Sequence, residues 1–331
     1  MGLHIGVVGA TGAVGRKILN VLAERKMDID RLRCFASERT AGEMLEWKGR
    51  SITIELLTEE VMMESFDYLL FSAGGEVSKK YAAVAQEAGN TIIDNSSQWR
   101  MTDGIPLIVP EVNGHTLRNY KGIIANPNCS TIQMVVALAP LHRIYRIKRI
   151  VVSTYQAVSG SGHKAIVELE NQMKDTEYPS QVYPKRIAAN CLPHIDVFNE
   201  NGFTKEELKM VYETQKIMDD DSIQVNATTV RVPVFYGHSE SVTITFESAP
   251  RLQEVRELLQ NEEGIVLMDN PEALEYPTPL ETSGTDAVYV GRLRKDLYDP
   301  CVLSMWIVAD NLRKGAATNA VQIVEKMEKL K

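Results

Sequence analysis

The sequence has 331 residues, of which 44% are apolar and 24% charged, a composition typical of a folded globular protein. This length exceeds what one hydrophobic core usually organises, so we expect two domains. The net charge of −8 argues against binding of nucleic acid or an anionic membrane through bulk charge.

The sequence contains no apolar run of about 18 residues and no basic segment followed by an apolar one at its start, so we expect neither a membrane span nor a signal peptide. Its four cysteines are widely spaced, without a CxxC motif or the spacing of a zinc site. A reducing cytoplasm is therefore the expected compartment, and no metal site is predicted.

The first 130 residues alternate between strand and helix patterns. The strand candidates are LHIGVVGA, LRCFAS, SITIELL, YLLFSAG, TIIDNSS and KGIIANP. The segments AVGRKILNVLAER and VSKKYAAVAQEAG have helical patterns, and the first places its apolar residues on one face. Such alternation predicts an α/β domain of the doubly wound Rossmann type, whose ligands bind at the carboxyl ends of parallel strands.

Three glycines, Gly9, Gly12 and Gly15, follow the first strand and open the first helix. Glycine lets the backbone approach a pyrophosphate, and the helix N-terminus offers N–H groups to it. A tight turn without a ligand is the alternative, but the position in the first βα turn favours a nucleotide site.

The end of the second strand favours NADP over NAD. There Ser37, Arg39 and Thr40 could hold a ribose 2′-phosphate, the arginine through charge-assisted bonds. Glu38 keeps NAD in consideration, because an acidic residue at this place usually binds a free 2′-hydroxyl.

Cys129 lies at another corner, where the apolar run IIA and Asn126-Pro127-Asn128 give way to a helical pattern. The helix dipole there favours the thiolate, and Asn128 and Ser130 are candidate caps. A small buried cysteine that packs a turn is the alternative. The corner favours a nucleophile.

The second half reads as an α+β domain. The helix STIQMVVALAPLHRIY leads into the strand RIVVSTYQAV, and a proline-rich connection follows. Thr204 and Glu207 form a capping box before the helix TKEELKMVYETQKIM. Long antiparallel strands are expected next, the last two as a hairpin around Asp299-Pro300, and the chain closes with an amphipathic helix.

A thiolate and a nicotinamide together indicate hydride transfer to or from a thioester or thiohemiacetal. Such chemistry needs a proton-transferring residue near the sulfur, usually histidine. His238, in a glycine-bearing connection between strands, is the first candidate, with His163 and His194 as rivals.

The whole chain resembles the aspartate-β-semialdehyde dehydrogenase family. The resemblance rests on GATGAVG, ASERTAG, FSAGGEVSKKYA, DNSSQWRM, VPEVN, NPNCST, TYQAVSGSG, RVPVFYGHSE and DNLRKGAA. It implies a fold like that of glyceraldehyde-3-phosphate dehydrogenase, with a second, catalytic and dimerisation domain. It also implies NADPH-dependent reductive dephosphorylation of L-aspartyl-4-phosphate to aspartate semialdehyde, in the biosynthesis of lysine and diaminopimelate, threonine, methionine and isoleucine.

The resemblance further implies roles for individual residues. Cys129 would be the nucleophile, His238 the acid/base and Gln156 the residue that orients the acyl-enzyme, with backbone N–H groups at the start of the Cys129 helix binding the oxyanion. The implied substrate-binding residues are Arg231 for the α-carboxylate, Glu213 for the α-ammonium, and Arg100, Lys216 and Asn128 for the phosphate. A solvated ion pair between Glu213 and Lys216 is the alternative for those two.

On the cofactor side, the resemblance places Thr11, Gly12, Ala13 and Val14 at the pyrophosphate and Ser159, Gly160 and Asn311 near the nicotinamide. It divides the chain into a nucleotide domain, residues 1–128 with 313–331, and a catalytic domain, residues 129–312. Homodimers or homotetramers are implied. The sequence has SERTAG where the family often has SxRSAG, so Thr40 replaces a serine but keeps a hydroxyl.

Two rival functions are considered. N-acetyl-γ-glutamyl-phosphate reductase performs the same chemistry on an acetylated substrate, whose uncharged amide would leave Glu213 without a partner. A non-catalytic NADP-sensing protein on the same fold is the other, and it predicts loss of the reactive residues, all of which the sequence retains.

Overall fold

The computed structural model describes residues 2–331, which form two compact units. One comprises the chain up to Pro127 together with Ala316–Lys331, and the other comprises Asn128–Gly315. Within residues 2–331, no helix is long and apolar enough to span a membrane.

The first unit contains a seven-stranded sheet. Its strands are β1 (Leu3–Val8), β2 (Ile29–Ala36), β3 (Met44–Trp47), β4 (Arg50–Leu56), β5 (Tyr68–Phe71), β6 (Thr91–Asp94) and β7 (Ile123–Ala125). Its helices are α1 (Ala13–Glu24), α2 (Glu59–Met62), α3 (Gly75–Glu87), α4 (Pro110–Asn113) and α10 (Thr318–Leu330), with a 3₁₀ turn at Gly114–Leu117.

The strand order is β3-β4-β2-β1-β5-β6-β7, and every pair except β3–β4 is parallel. Strands β5 and β6 are buried along their whole length, as expected when helices cover both faces of a parallel sheet. The order reverses between β1 and β5, which is the switch point where such sheets bind ligands. The predicted doubly wound domain is confirmed.

The second unit contains a six-stranded sheet. Its strands are β8 (Ile147–Gln156), β9 (Gln224–Arg231), β10 (His238–Phe246), β11 (Ile265–Leu267), β12 (Val288–Lys295) and β13 (Val302–Ala309). Its helices are α5 (Cys129–Tyr145), α6 (His163–Lys174), α7 (Lys205–Met218), α8 (Leu252–Asn261) and α9 (Pro279–Thr282). Short 3₁₀ turns cover Val158–Ser161 and Pro271–Ala273, and a π-helical turn covers Arg313–Ala317.

The order in this sheet is β11-β12-β13-β10-β8-β9. The predicted hairpin is present, because β12 and β13 pair antiparallel. The expectation that the long strands are all antiparallel is wrong, since β8 pairs with β9 in parallel. The segment between these two strands contains α6 and α7, and a crossover of that kind returns the chain in the same direction.

Helix α5 lies at the centre of the second unit. Nearly all of its residues are buried, so it lacks the single apolar stripe of a surface helix. It contacts helices α7 and α8 and strands β8, β10, β12 and β13. Because most of α5 is packed among these elements, the packing of the unit sets the position of its first residue, Cys129.

Glu240 on β10 is fully buried beside Gln133 of α5. Burial raises the pKa of this carboxyl well above its usual value of about 4.5, and the nearby Gln133 offsets the rise only in part. The folded state therefore keeps Glu240 protonated at a pH where the unfolded chain has lost that proton.

The folded state becomes relatively less stable as pH rises from about 4.5 toward the raised pKa of Glu240. We expect Glu240→Gln, which stays neutral, to unfold at a higher temperature than the parent, by a margin that grows with pH over this window. Thermal unfolding at several pH values measures the margin. Glu46→Gln, at an exposed carboxylate on β3, is the control, and a margin that does not change with pH would contradict the assignment.

Candidate active site

The three positions after β1 that carry glycine differ in the space that a side chain would have. Gly9 has φ +80°, and a Cβ on it would lie 2.7 Å from the Ser72 carbonyl oxygen. A Cβ on Gly15 would lie 2.1 Å from the Gly9 carbonyl oxygen, so Gly15 permits close packing of α1 on the turn. A Cβ on Gly12 would meet only that same oxygen, at 3.4 Å. The backbone at Gly12 is thus open to a ligand.

The start of α1 carries no side-chain cap and no acidic residue in its first turn. Its N–H groups and dipole therefore favour an anion near Ala13 and Val14. The Thr11 hydroxyl lies 3.4 Å from that of Thr40, which joins this corner to the loop after β2. In that loop Ser37 and Arg39 are exposed. The predicted cofactor residues of the first unit thus share one edge of the sheet.

Cys129 is the first residue of α5 and is partly exposed. Asn128 caps the helix, because its Oδ1 accepts hydrogen bonds from Ser130 N at 3.0 Å and Thr131 N at 3.3 Å. The predicted cap is present at Asn128. By contrast Cys34 is fully buried, and burial raises the pKa of its thiol to about 12.

Asn128 N donates to Glu213 Oε2 at 2.6 Å. Three N–H groups of this corner, those of Asn128, Ser130 and Thr131, are therefore already bonded. With these partners in place, the three N–H groups are not available to bind the oxyanion, as the resemblance had implied for N–H groups at this helix start.

Gly315 packs directly against Cys129. A Cβ on Gly315 would lie 2.8 Å from the Cys129 Cβ and 3.3 Å from its Cα, closer than side chains tolerate. Sequence reasoning did not single out this glycine, although it lies within the motif DNLRKGAA. Gly315 is recognised by its contact with Cys129 in the folded chain, and no sequence pattern marks it.

Gln156, the last residue of β8, is buried near the start of α5. Its Nε2 donates to Ser130 Oγ at 2.8 Å and to Glu206 Oε1 at 3.2 Å. Glu206, in the first turn of α7, is a buried carboxylate that sequence reasoning missed. From the sequence it is one of several acidic residues at a helix start, where acidic residues are common.

Glu213 is also on α7 and only 1% exposed. Its Oε2 accepts from Asn128 N, and its burial shows that Glu213 is not the solvated residue considered as the alternative. Lys216 lies in the last turn of the same helix and is partly buried.

His238 begins β10 and is fully buried. Its Nδ1 accepts a hydrogen bond from Ala157 N at 3.0 Å, so the proton of the neutral ring lies on Nε2. Among residues 2–331, no hydrogen-bond partner meets Nε2. Burial, and then the charge of Arg231, lower the pKa of His238 well below its usual value. The ring is therefore neutral at neutral pH, with an unused donor.

Arg231 ends β9 and contacts the same residue, Ala157, since its Nη1 donates to Ala157 O at 2.7 Å. Its Nε is buried and has no partner among the described residues. A Cβ on Gly160 would lie 3.0 Å from Arg231 Nη1 and 3.4 Å from His238 Nε2, so only glycine leaves these two side chains undisturbed.

Ser159 and Asn311 are both buried and hydrogen-bond to each other, with Asn311 Nδ2 donating to Ser159 Oγ at 3.0 Å. Asn311 Oδ1 also accepts from Gly237 N at 2.9 Å. The pair thus fixes the turn immediately before His238.

The remaining candidates have surroundings of their own. Arg100, in the first unit, is held by its own loop, with Nη2 donating to Asn95 O and Nε to Ser96 O. Of the rival histidines, His163 begins α6, and His194 stacks on Phe198 with ring centroids 4.5 Å apart. The hydrogen-bonded position next to Arg231 belongs to His238.

Two family models match this chain. The NAD binding domain of semialdehyde dehydrogenase matches residues 4–120, and the semialdehyde dehydrogenase dimerisation domain matches residues 138–314. A chain with a doubly wound nucleotide-type unit and a second unit that carries a thiol at a helix start belongs to a class of oxidoreductases that act on aldehydes and acyl derivatives.

Curated relatives give the same result along the whole chain. The aspartate-semialdehyde dehydrogenase of Aquifex aeolicus is 54% identical, with 99% of each chain covered. That of Legionella pneumophila is 50% identical over 99% of this chain and 96% of its own. A crystal structure of aspartate semialdehyde dehydrogenase II from Vibrio cholerae, complexed with ASA, is 45% identical, with a TM-score of 0.95 and 99% of each chain covered.

This chain belongs to the aspartate-semialdehyde dehydrogenase family. The resemblance predicted from the motifs is confirmed, as are the fold class and the prediction of an enzyme with this activity. The comparisons give no support to the acetylglutamyl-phosphate reductase or to the non-catalytic NADP sensor.

We expect Gly315→Ala to lower kcat by about tenfold, because the new Cβ displaces Cys129 by a fraction of an ångström and reactive geometry is sensitive to such shifts. Alkylation of Cys129 by iodoacetamide should slow as well. Gly114→Ala is the matched control, since its Cβ would meet only the flexible Lys326 side chain. Equal kinetics for the two variants would show that the Gly315 contact does not position the thiol.

Proposed function

We propose that this chain converts L-aspartyl-4-phosphate to aspartate semialdehyde by reductive dephosphorylation through a thioester on Cys129. The observation that carries the proposal is the partly exposed thiol at the start of α5, where the next residue, Ser130, accepts a hydrogen bond from buried Gln156. The other three cysteines lack this setting, since Cys34 is buried inside β2 and neither Cys191 nor Cys301 lies at the start of a helix.

Cys129 attacks the acyl carbonyl, the carbon–sulfur bond forms, and inorganic phosphate leaves. The dipole of α5 favours the attacking thiolate. Gln156, whose amide N–H groups are held by Ser130 and Glu206, keeps one orientation beside the sulfur. It therefore orients the acyl group without having to be reordered at each turnover.

The neutral His238 ring contributes a hydrogen-bond donor at Nε2. This N–H is buried and has no partner among the described residues, as expected of a donor kept for a reacting oxygen. We assign binding of the oxyanion to this donor, because three backbone N–H groups at the start of α5 already have partners within the protein. To take a proton from the Cys129 thiol, His238 must first carry its own proton on Nδ1, which requires the Ala157 N–H bond to break.

The substrate's charged groups have matching partners. Arg231 offers a buried Nε without a partner among the described residues, which suits a carboxylate held bidentately. Glu213 supplies a buried negative charge for the α-ammonium, and Arg100 and Lys216 supply positive charge for the phosphate. A charged amine also accounts for Glu213 better than an acetylated one would.

NADP is the proposed cofactor. The open backbone at Gly12 and the uncapped start of α1 fit a pyrophosphate, and a nicotinamide supplies the hydride in the reductive direction when bound. Arg39 in the exposed turn after β2 fits a 2′-phosphate, with Ser37 and Thr40 beside it. Gly160, Ser159 and Asn311 are the proposed nicotinamide residues.

We assign nucleotide binding and catalysis to different domains. Residues 1–128 with 313–331 bind the nucleotide, and residues 129–312 carry out catalysis and dimerisation. A homodimer or homotetramer fits the outer face of the six-stranded sheet, which exposes Val151 and Tyr155 and carries Trp306. The match to a dimerisation domain favours a second copy of this chain as the partner of that face.

We expect purified protein to reduce NADP, read at 340 nm, only when aspartate semialdehyde and phosphate are both present. Cys129→Ser should abolish the signal, because a serine hydroxyl is a far weaker nucleophile than a thiolate. Cys191→Ser, at an exposed cysteine, is the control. A signal without phosphate would indicate an ordinary aldehyde dehydrogenase. Phosphate-dependent activity with N-acetylglutamate semialdehyde but not with aspartate semialdehyde would indicate N-acetyl-γ-glutamyl-phosphate reductase.

We expect Arg39→Ala to raise the KM for NADP by about tenfold or more, since a hydrogen bond to a charged group is lost. The KM for NAD, which has no 2′-phosphate, should change little. Arg50→Ala, which removes an exposed arginine at the start of β4, controls for the change in net charge. An equal rise in the KM values for NADP and NAD would show that Arg39 does not bind the 2′-phosphate.

We expect Tyr155→Arg to reduce the sedimenting mass, because it places a charge on the proposed sheet interface. Sedimentation velocity measures the change. Tyr298→Arg, at a tyrosine that is 92% exposed in the β12–β13 turn, is the matched control. An unchanged mass for Tyr155→Arg would place the interface on another surface.

A further inference from the structure

Glu206 occupies a position that helix stability alone does not explain. It lies in the first turn of α7, is 5% exposed, and accepts hydrogen bonds from two side-chain amides of the site. Its Oε1 lies 2.9 Å from Asn128 Nδ2 and 3.2 Å from Gln156 Nε2. We propose that Glu206 is a positioning residue, which sets the orientation of Gln156 beside Cys129. The proposal rests on the proposed function of Gln156.

The physical reason is the difference between the two ends of an amide. Asparagine and glutamine side chains can each present either N–H₂ or C=O, whereas an ionised carboxylate only accepts hydrogen bonds. Glu206 therefore draws the N–H₂ end of both side chains toward itself. For Asn128 this aims Oδ1 at the Ser130 and Thr131 N–H groups.

For Gln156 the second amide hydrogen goes to Ser130 Oγ. Both N–H bonds of the side chain are thus used, and Oε1 is the end that neither Ser130 nor Glu206 holds. A reversed amide would place the Gln156 carbonyl oxygen against the Glu206 carboxylate, which is repulsive. Glu206 thereby selects one of two otherwise similar orientations of the residue that faces the acyl group.

The carboxylate stays ionised despite its burial. Burial alone would raise the pKa of Glu206, but the charge of Lys209 and the hydrogen bonds from Asn128, Lys209 and Gln156 outweigh it and hold the pKa below the usual value. Lys209 Nζ lies 3.0 Å from Glu206 Oε2 and 2.9 Å from Asp196 Oδ2. Oε2 is therefore satisfied by the lysine, and Oε1 is left to the amides.

The neighbouring residue Glu207 provides a matched control. It is also a buried carboxylate in the first turn of α7, but its partners are backbone N–H groups, those of Thr204 at 2.8 Å and Thr229 at 3.1 Å. Replacing Glu207 perturbs the helix start to a similar degree and leaves the amides of Asn128 and Gln156 in place.

The test is a double-mutant cycle in the phosphate-dependent NADP assay, with Glu206→Ala, Gln156→Ala and the combination. We expect Glu206→Ala to lower kcat by about 10²-fold, because a misplaced orienting group costs about that much. In the Gln156→Ala background the same change should lower kcat by much less than it does in the parent, because Gln156 is gone and only the bond between Glu206 and Asn128 remains to be lost. Glu207→Gln should lower the unfolding temperature but not kcat.

A second pair of variants covers the case in which Glu206→Ala does not fold. Glu206→Gln retains an acceptor but turns an N–H₂ toward the Lys209 ammonium, so kcat should fall. Adding Lys209→Met removes that clash, and kcat should recover while Gln156 is present. A merely structural role predicts no such recovery.

The outcomes separate the two proposals. If Gln156→Ala leaves kcat unchanged, the proposed role of Gln156 fails and the positioning role of Glu206 fails with it. If Gln156→Ala lowers kcat but Glu206→Ala does not, or the two losses multiply fully, only the role of Glu206 is overturned. A loss from Glu206→Ala that is much smaller in the Gln156→Ala background than in the parent supports it.

Discussion

The catalytic unit depends on how buried carboxylates of α7 hold the first residues of α5. Glu213 accepts from Asn128 N and Glu206 accepts from Asn128 Nδ2, so one residue is bound through both its backbone and its side chain. Asn128 in turn caps the helix that begins with Cys129. The position of the thiol is therefore set by two charges on a neighbouring helix as well as by its own backbone.

This arrangement requires the carboxylates to be buried without losing their charge. Burial raises the pKa of a carboxyl group that has no cation beside it, as it does, among the described residues, for Glu240 on β10. Glu206 avoids this because Lys209 lies at its second oxygen. A buried carboxyl group in this unit thus stays ionised where a cation contacts it, as Lys209 contacts Glu206. Where no cation of residues 2–331 contacts it, as at Glu240, burial favours the protonated form.

Local patterns in the sequence predicted the features that depend on a few adjacent residues. The Gly9–Gly15 corner, the Thr204–Glu207 capping box and the cap at Asn128 all arise from backbone geometry over one or two turns. The sequence pattern made His238 the first candidate among the histidines, and the resemblance added Gln156 and Arg231. The placement of these three residues around Ala157 and the start of α5 came from the structure.

Features that depend on packing between distant segments were not predictable in this way. Glu206 is one of several acidic residues in its helix, and only the packing of α7 against α5 distinguishes it. Gly315 looks like an ordinary glycine until Cys129 is seen 2.8 Å from where its Cβ would be. The parallel β8–β9 pair likewise depends on the crossover through α6 and α7 rather than on either strand.

The site also retains polar atoms that the rest of the fold would normally satisfy. Among the described residues, Arg231 Nε and His238 Nε2 are buried donors without a partner, and each costs stability in the absence of a ligand. Both project from strand ends that are held by the backbone N–H and C=O of Ala157, so the fold does not relax to satisfy them. A carboxylate at the arginine and a developing oxyanion at the histidine would each recover that cost. The unsatisfied donors are therefore best explained as stability given up in the free protein so that substrate and transition state are bound by groups already in place.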